Sequence, residues 1–305
     1  MKRFIKQTLA FLIPVLAIAL LLEVLLRQIP NDFALKRSQI ELHKDSIETL
    51  LLGSSHTMYG LNPEYFSEST YNLGHVSQTI DMDYELLKTY LKDLPKLKTV
   101  VLRLSYTTLH EQLRYGSESW RLKDYSLYYD LKVSSKLKHK SEVLSVKLKN
   151  NLTRLKDYYI NHDDMIIAEP SGWASFDQEQ VDKPLNEVGL IAAKKHTAKD
   201  NSLVEENIQF LENIVQLCKA EGVNVLLVTM PAHNSYSDNL NQSQLKLVLQ
   251  AGKKMETSYD NCQYLNLLNA ENFTNADFYD GDHLNSRGAM KLSLFIDRLI
   301  SQSIN

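Results

Sequence analysis

The stretch LLLGSSHTMYG (Leu50–Gly60) decides the fold. The run SIETLLLG (Ser46–Gly53) is short, apolar on both faces and closed by a glycine, the pattern of a buried strand. Two serines and a histidine follow at once. In open α/β sheets the reactive groups sit at the carboxyl ends of strands, and Ser54 and Ser55 occupy such an end. A tight turn at Gly53 would feed a helix whose first backbone N–H groups are unpaired. A serine there fits two roles, a nucleophile or a helix N-cap.

Outward from this stretch the chain alternates. TYNLG (Thr70–Gly74), LKTVVLRLSY (Leu97–Tyr106), VNVLLVTMP (Val223–Pro231) and CQYLNLL (Cys262–Leu268) read as four more strands. Between and after them, Met82–Leu94, Ser202–Gly222, Gln242–Tyr259 and Asn285–Ile300 have helical spacing, the second ending at a C-terminal glycine. The alternation predicts an α/β domain with a mainly parallel sheet flanked by helices. Residues 107–200 interrupt it and read as a helical insert between the third and fourth strands.

A second stretch, FYDGDHLNSRG (Phe278–Gly288), bears on the two serines. A hydroxyl nucleophile is weak until a base takes its proton. Histidine does so near neutral pH, and a carboxylate fixes its tautomer and steadies the imidazolium. Asp280 and His283 could supply both. Asp282, beside His283, is the less favoured orienter because it is out of phase with Asp280.

The two stretches together resemble the SGNH, or GDSL-like, hydrolases and acyltransferases. The first block of that family is Gly-Asp-Ser after the first strand, and the last is Asp-x-x-His before the final helix. Gly53, Ser54 and Ser55 match the first, with Ser54 in the Asp place. Asp280 and His283 match the last. The resemblance covers residues 46–300 and implies a three-layer, flavodoxin-like sheet. It assigns Ser55 as nucleophile, His283 as base and Asp280 as its orienter. The backbone N–H groups of Ser55 and Gly74 would form the oxyanion hole. The third block departs from the pattern: where the family has Gly-x-Asn-Asp, this chain has LRLSYTTL, with no asparagine. Two readings stay open: Ser105 or Tyr106 as the stand-in donor, or a hole of two backbone N–H groups. The resemblance is closest to the membrane-anchored members, the alginate O-acetylation proteins and the D-alanyl transfer protein of teichoic acid modification. It implies acyl transfer to or from a cell-surface polymer or acylated glycan, beside a membrane-bound O-acyltransferase. No CxxC or HExxH spacing occurs, so no metal site is expected, and no cofactor.

Other residues carry two readings each. His56 follows Ser55 directly and cannot face it, which leaves substrate contact or packing. Ser54 and His233 are further candidates for substrate contact, His233 otherwise for loop packing. Arg103 lies in an apolar strand and needs a carboxylate or carbonyl partner. Trp173 could stack on a sugar or fill a core. Cys218 reads as a small buried residue on a helix face.

The N-terminus carries Lys2, Arg3 and Lys6 ahead of a run, Thr8–Leu26, whose single charge is Glu23. Such a run is near the ~20 apolar residues a membrane-crossing helix needs. It reads as an uncleaved anchor, with a cleaved signal peptide as the rival. Basic residues ahead of the span place the N-terminus in the cytoplasm and the domain outside. The expected organisation is a tail and anchor over 1–28, a stalk over 29–45, and an SGNH-like domain over 46–305 with its insert at about 107–200. Leu131–Lys156 holds eight Lys/Arg against one Glu. That block is either a solvated helix pair or a face toward an anionic surface. A net charge of −3 over 305 residues gives no sign of nucleic-acid binding. Three functions remain: a serine acyltransferase or esterase on surface glycans, a tethered binding module that has lost its chemistry, and, last, a lipid esterase.

Overall fold

The computed structural model describes residues 1–176 and 184–303. It divides into two compact units, Met1–Arg37 with Ser117–Ile167, and Ser38–Gly116 with Ala168–Asn305.

The larger unit is built on five strands: β1 (Thr49–Leu52), β2 (Thr70–Asn72), β3 (Thr99–Arg103), β4 (Asn224–Thr229) and β5 (Cys262–Asn266). All pair in parallel, in the order β2-β1-β3-β4-β5. This is the parallel sheet flanked by helices that the alternation predicts. The register sets Leu50 beside Val100, and Val100 beside Val225. Every residue of β1 and β3 is buried, as expected of central strands covered on both faces. On one face Leu51, Val101, Leu226 and Val228 pack with Leu292, Ile296 and Ile300 of the helix Ser286–Ser303. The helices Ile80–Tyr90 and Val204–Ala220 pack on each other and bury Leu86, Leu87, Leu211, Ile214 and Cys218. Cys218 and Cys262 are free and buried.

The turn after β1 depends on Gly53. Its φ is +135°, a conformation L side chains rarely adopt. A Cβ there would lie 2.5 Å from Thr57 Oγ1 and 2.7 Å from Arg103 Cβ. The chain therefore bends where only glycine fits, and the short helix Ser55–Gly60 starts at once, capped by Ser54.

In the smaller unit, the helix Lys2–Arg27 is long and apolar enough to cross a membrane, with a mean hydropathy of 2.8 over its most apolar window and only 6% of that window buried. Its charged Glu23 is enclosed by protein: Ser141 Oγ (2.7 Å) and the N–H groups of Glu142 (3.1 Å) and Val143 (3.0 Å) donate to it, and Arg27 pairs with it at 2.7 Å. Glu142 is fully buried among Lys123, Arg154 and Tyr128. Phe33 meets Tyr125 edge-on at 5.2 Å.

Gly53→Ala should destabilise the fold by on the order of 2–3 kcal/mol, through strained φ and displacement of Thr57 and Arg103. Thermal unfolding of the purified chain in detergent measures this; an unchanged midpoint would mean that the turn relaxes freely.

Candidate active site

Three loops meet at the carboxyl ends of the strands. The first follows β1 and carries Ser54, Ser55 and His56. The second follows β2 and carries Gly74. The third precedes the helix Ser286–Ser303 and carries Asp280, Asp282 and His283. The third loop is held in place from behind. His233 N–H donates to Gly281 O at 3.0 Å. Gly281 also lies so close to Gly189 that a Cβ on Gly281 would collide with the Gly189 backbone.

The structure brings Ser55 Oγ to 2.9 Å from His283 Nε2. On the far side of the ring, Nδ1 lies 3.1 Å from both carboxylate oxygens of Asp280. With Nδ1–H directed at the carboxylate, Nε2 is the acceptor for the Ser55 hydroxyl. Asp280 is fixed in turn by the N–H groups of Asp282 (3.0 Å) and His283 (2.8 Å).

A second carboxylate lies close by. Asp282 Oδ1 is 3.7 Å from His283 Nδ1, while its Oδ2 faces His56 Nε2 at 3.2 Å and His196 Nδ1 at 3.7 Å. Burial opposes charge on His283, but Asp282 and then Asp280 outweigh it, so its pKa is held above the ordinary imidazole value. His56 goes the other way: burial pushes it down to about 4, against the opposing pull of Asp282. Burial also favours a neutral Asp282, yet the charge of His283 and the contact with His56 hold its carboxyl well below the usual range. The cluster thus holds an ionised Asp282 beside a neutral His56.

The remaining sequence candidates fall into place around this core. His56 stacks on His283 with ring centroids 4.7 Å apart, and its Nδ1 lies 3.1 Å from Ser54 Oγ. Packing, the second of its two readings, describes it. Ser54 is buried and caps the short helix. His233 is buried, bonded to Ser235 and Asn275, and packs the loop. Tyr106 is buried too, its hydroxyl bonded to Thr197 and to the N–H of Asn241. Ser105 Oγ accepts from Arg103. Arg103 Nε is buried and, among the described residues, has no hydrogen-bond partner; the carboxylate that most favours the guanidinium charge is Asp83. Burial pushes Asp83 up to about 7.

Gly74 is engaged. Its N–H donates to Asn72 Oδ1 at 3.0 Å, and the Asn72 amide donates to Thr57 O and Leu61 O. Nothing among the described residues accepts the Ser55 N–H. Trp173 is buried, with its indole N–H donating to Tyr59 O. The aromatic surface next to His283 is formed by other residues: Tyr59 stacks on Phe176 at 3.7 Å, and Phe176 on Tyr279 at 4.1 Å. Phe176 and Tyr59 meet the His283 ring edge-on at 5.5 and 6.3 Å.

Among the described residues, His56, Asp282 and His283 form a group whose ligand atoms lie within 4.8 Å of one another. The spacing could hold a cation, but the His283 nitrogens already serve Ser55 and Asp280, so an ion would compete with both.

Sequence reasoning weighed Asp282 only as the rival orienter of His283, not as a second carboxylate acting beside Asp280, and it missed His196. Asp282 was visible only as a neighbour of His283, and His196 lies 86 positions earlier on the helix Leu185–His196 with no motif around it.

Comparison with protein-family models and with curated proteins gives no match. Among solved structures the chain is similar to a GDSL-like lipase from Bacteroides thetaiotaomicron, at 12% identity over 89% of this chain and 99% of that one, with a TM-score of 0.45. It is also similar to a protein from Bacteroides fragilis provisionally named an acylhydrolase, at 12% identity over 88% and 95%, with a TM-score of 0.44. Likeness at this level says nothing of the chemistry, which rests on the geometry of Ser55, His283 and the two aspartates.

Proposed function

We propose that the protein is a serine-dependent esterase or acyltransferase that works through an acyl-enzyme on Ser55. The observation that carries this reading is the 2.9 Å contact of Ser55 Oγ with His283 Nε2, backed by Asp280 at 3.1 Å on Nδ1. His283 takes the hydroxyl proton as Ser55 Oγ attacks the acyl carbon. It then gives that proton to the departing oxygen, which leaves the acyl group on Ser55. Water or a sugar hydroxyl next attacks the ester, and its proton returns to serine through His283. Asp280 keeps Nδ1 protonated and steadies the imidazolium. The Ser55 N–H faces the developing oxyanion, and the Gly74 N–H joins it by shifting away from Asn72. One oxyanion donor contributes on the order of 10²–10³ in rate, so the occupied Gly74 N–H implies a slow resting enzyme.

The finer reading is a membrane-tethered enzyme acting outside the cytoplasm on a cell-surface polymer or acylated glycan, beside a membrane-bound O-acyltransferase. Its support is the apolar helix Lys2–Arg27, which opens with Lys2, Arg3 and Lys6, together with the half-buried ring of Tyr279, stacked on Phe176 beside His283, whose outer face suits a sugar ring or an acyl chain. The engaged Gly74 N–H and the absent block-three asparagine favour a second reading, a binding module of the same fold without turnover.

A fluorophosphonate probe separates the two. It should label the protein at Ser55, and Ser55→Ala should abolish both labelling and ester turnover, a loss of about 10³-fold or more, with unfolding unchanged. His283→Ala should be comparably severe, because the two act as a unit. Turnover retained in Ser55→Ala would reject the acyl-enzyme, while an unlabelled, inactive native chain would establish the binding module. Protease added to intact cells should digest the domain; digestion only after lysis would reverse the orientation.

The pH dependence follows from the same groups. The base must be neutral, and its pKa is held above the ordinary value of 6.5, so activity should fall with decreasing pH along a limb lying above 6.5. Asp282→Asn removes the largest influence favouring the imidazolium. The limb should move to lower pH while Asp280 still orients the ring. A limb that stays put in Asp282→Asn would show that Asp280 alone sets the histidine.

A further inference from the structure

The smaller unit exposes large apolar side chains that nothing in the unit covers. Leu137 is 71% exposed, Leu144 55%, Leu148 57%, Leu152 50% and Ile160 69%. Lysines are interleaved with them: Lys136, Lys138, Lys147, Lys149 and Lys156 are all exposed, and among the described residues none has a carboxylate within ion-pair distance. Leu131–Ile167 carries eight Lys/Arg against four Asp/Glu, so the surplus is positive.

This patch is tied directly to the end of the apolar helix. Glu23, in its last two turns, accepts from Ser141, Glu142 and Val143, and Leu144 is the next residue. Arg27 donates to Lys140 O at 3.1 Å. Tyr159 OH donates to Leu25 O at 3.0 Å, and Ile160 follows it. The helices Glu142–Ser145 and Leu148–Lys156 both pack on Lys2–Arg27. Whatever depth Leu25 takes in a bilayer, Leu144 and Ile160 are held beside that depth.

We propose that this face is a second membrane contact, a platform seated in the headgroup layer of an anionic phospholipid bilayer where the helix emerges. The inference rests on the reading of Lys2–Arg27 as membrane-spanning. The chemistry fits: leucine and isoleucine side chains enter the acyl boundary, and lysines reach lipid phosphates by their long stems. An acidic polymer would satisfy the lysines but leave the leucines in water. A second copy of the chain would meet the same positive surplus and be repelled. The platform fixes the helix against rotation and tilt, because two contacts with one bilayer define an orientation that a lone helix does not.

The test uses the full chain in vesicles of phosphatidylcholine and phosphatidylglycerol. Single cysteines replace Leu148, Leu152, Tyr115 and Leu16 in turn, each carrying a nitroxide; Cys218 and Cys262 are buried. The Leu16→Cys label should be deep in lipid. Labels at Leu148→Cys and Leu152→Cys should be several-fold less accessible to a water-soluble nickel chelate than the label at Tyr115→Cys, and more accessible to oxygen. Adding Lys147→Glu and Lys149→Glu should expose them again. A deep Leu16→Cys label with aqueous labels at Leu148→Cys and Leu152→Cys overturns the platform and keeps the anchor. A Leu16→Cys label in water overturns both. Shielding that rises with protein density at fixed lipid composition, or that needs added alginate, overturns the lipid contact in favour of a second copy or an acidic polymer.

Discussion

One hydrogen bond organises the larger unit: Ser55 Oγ to His283 Nε2, 2.9 Å across 228 positions of chain. Neither residue is held by its own segment alone. Ser55 is aimed by a turn that only glycine at position 53 can make, because a side chain there would run into Thr57 and Arg103. His283 is aimed by a loop whose backbone closes on Asp280 and is backed by His233 and Gly189. The sheet's register aligns the carboxyl ends of β1 and β3, and the helix Ser286–Ser303 fixes the end of the loop before it through Leu292 and Ile296 in the core. The contact is the point at which these separate restraints agree.

The buried charges around it do more than fill space. A buried carboxylate with no partner is strongly disfavoured, and Asp282 escapes this by facing three imidazoles. Their responses differ. His56 is driven neutral by burial, whereas His283, touching two carboxylates, is driven the opposite way. Two rings stacked 4.7 Å apart are therefore pushed in opposite directions. A charged His56 would repel the imidazolium that must form on His283 during acyl transfer, so burial of His56 removes that repulsion in advance.

Much of this was legible from residues alone. The strands were, because each is a short apolar run closed by a glycine, proline or polar turn. Ser55, Asp280 and His283 were, because motif and strand position coincide. What escaped depends on contacts between distant segments. No spacing announces that Thr57 O and Leu61 O hold the Asn72 amide so that its oxygen occupies the Gly74 N–H, or that His196 approaches Asp282. Tyr106 follows a strand end and so looked available, yet its hydroxyl is taken by Thr197 and by the N–H of Asn241, which cap two helices distant in sequence. Of the two readings of Trp173, stacking on a sugar or filling a core, burial selects the core. The ring surface beside His283 comes instead from Tyr59, Phe176 and Tyr279, three residues with no shared pattern.

Glu23 shows the same limit in the smaller unit. Read along the chain, it is one charge near the end of an apolar helix, tolerable because interface water is near. In the structure protein groups surround it: a hydroxyl, two N–H groups and a guanidinium. A carboxylate accepting charge-assisted bonds of this kind is strongly held, so the helix end and the segment Ser141–Val143 move together. The polar residue that weakens the helix as a membrane span is thus the residue that attaches the basic, leucine-bearing segment to it. Replacing Glu23 by leucine would lengthen the apolar run and leave the first N–H groups of the helix Glu142–Ser145 without their carboxylate acceptor, trading a firm attachment for a cleaner span.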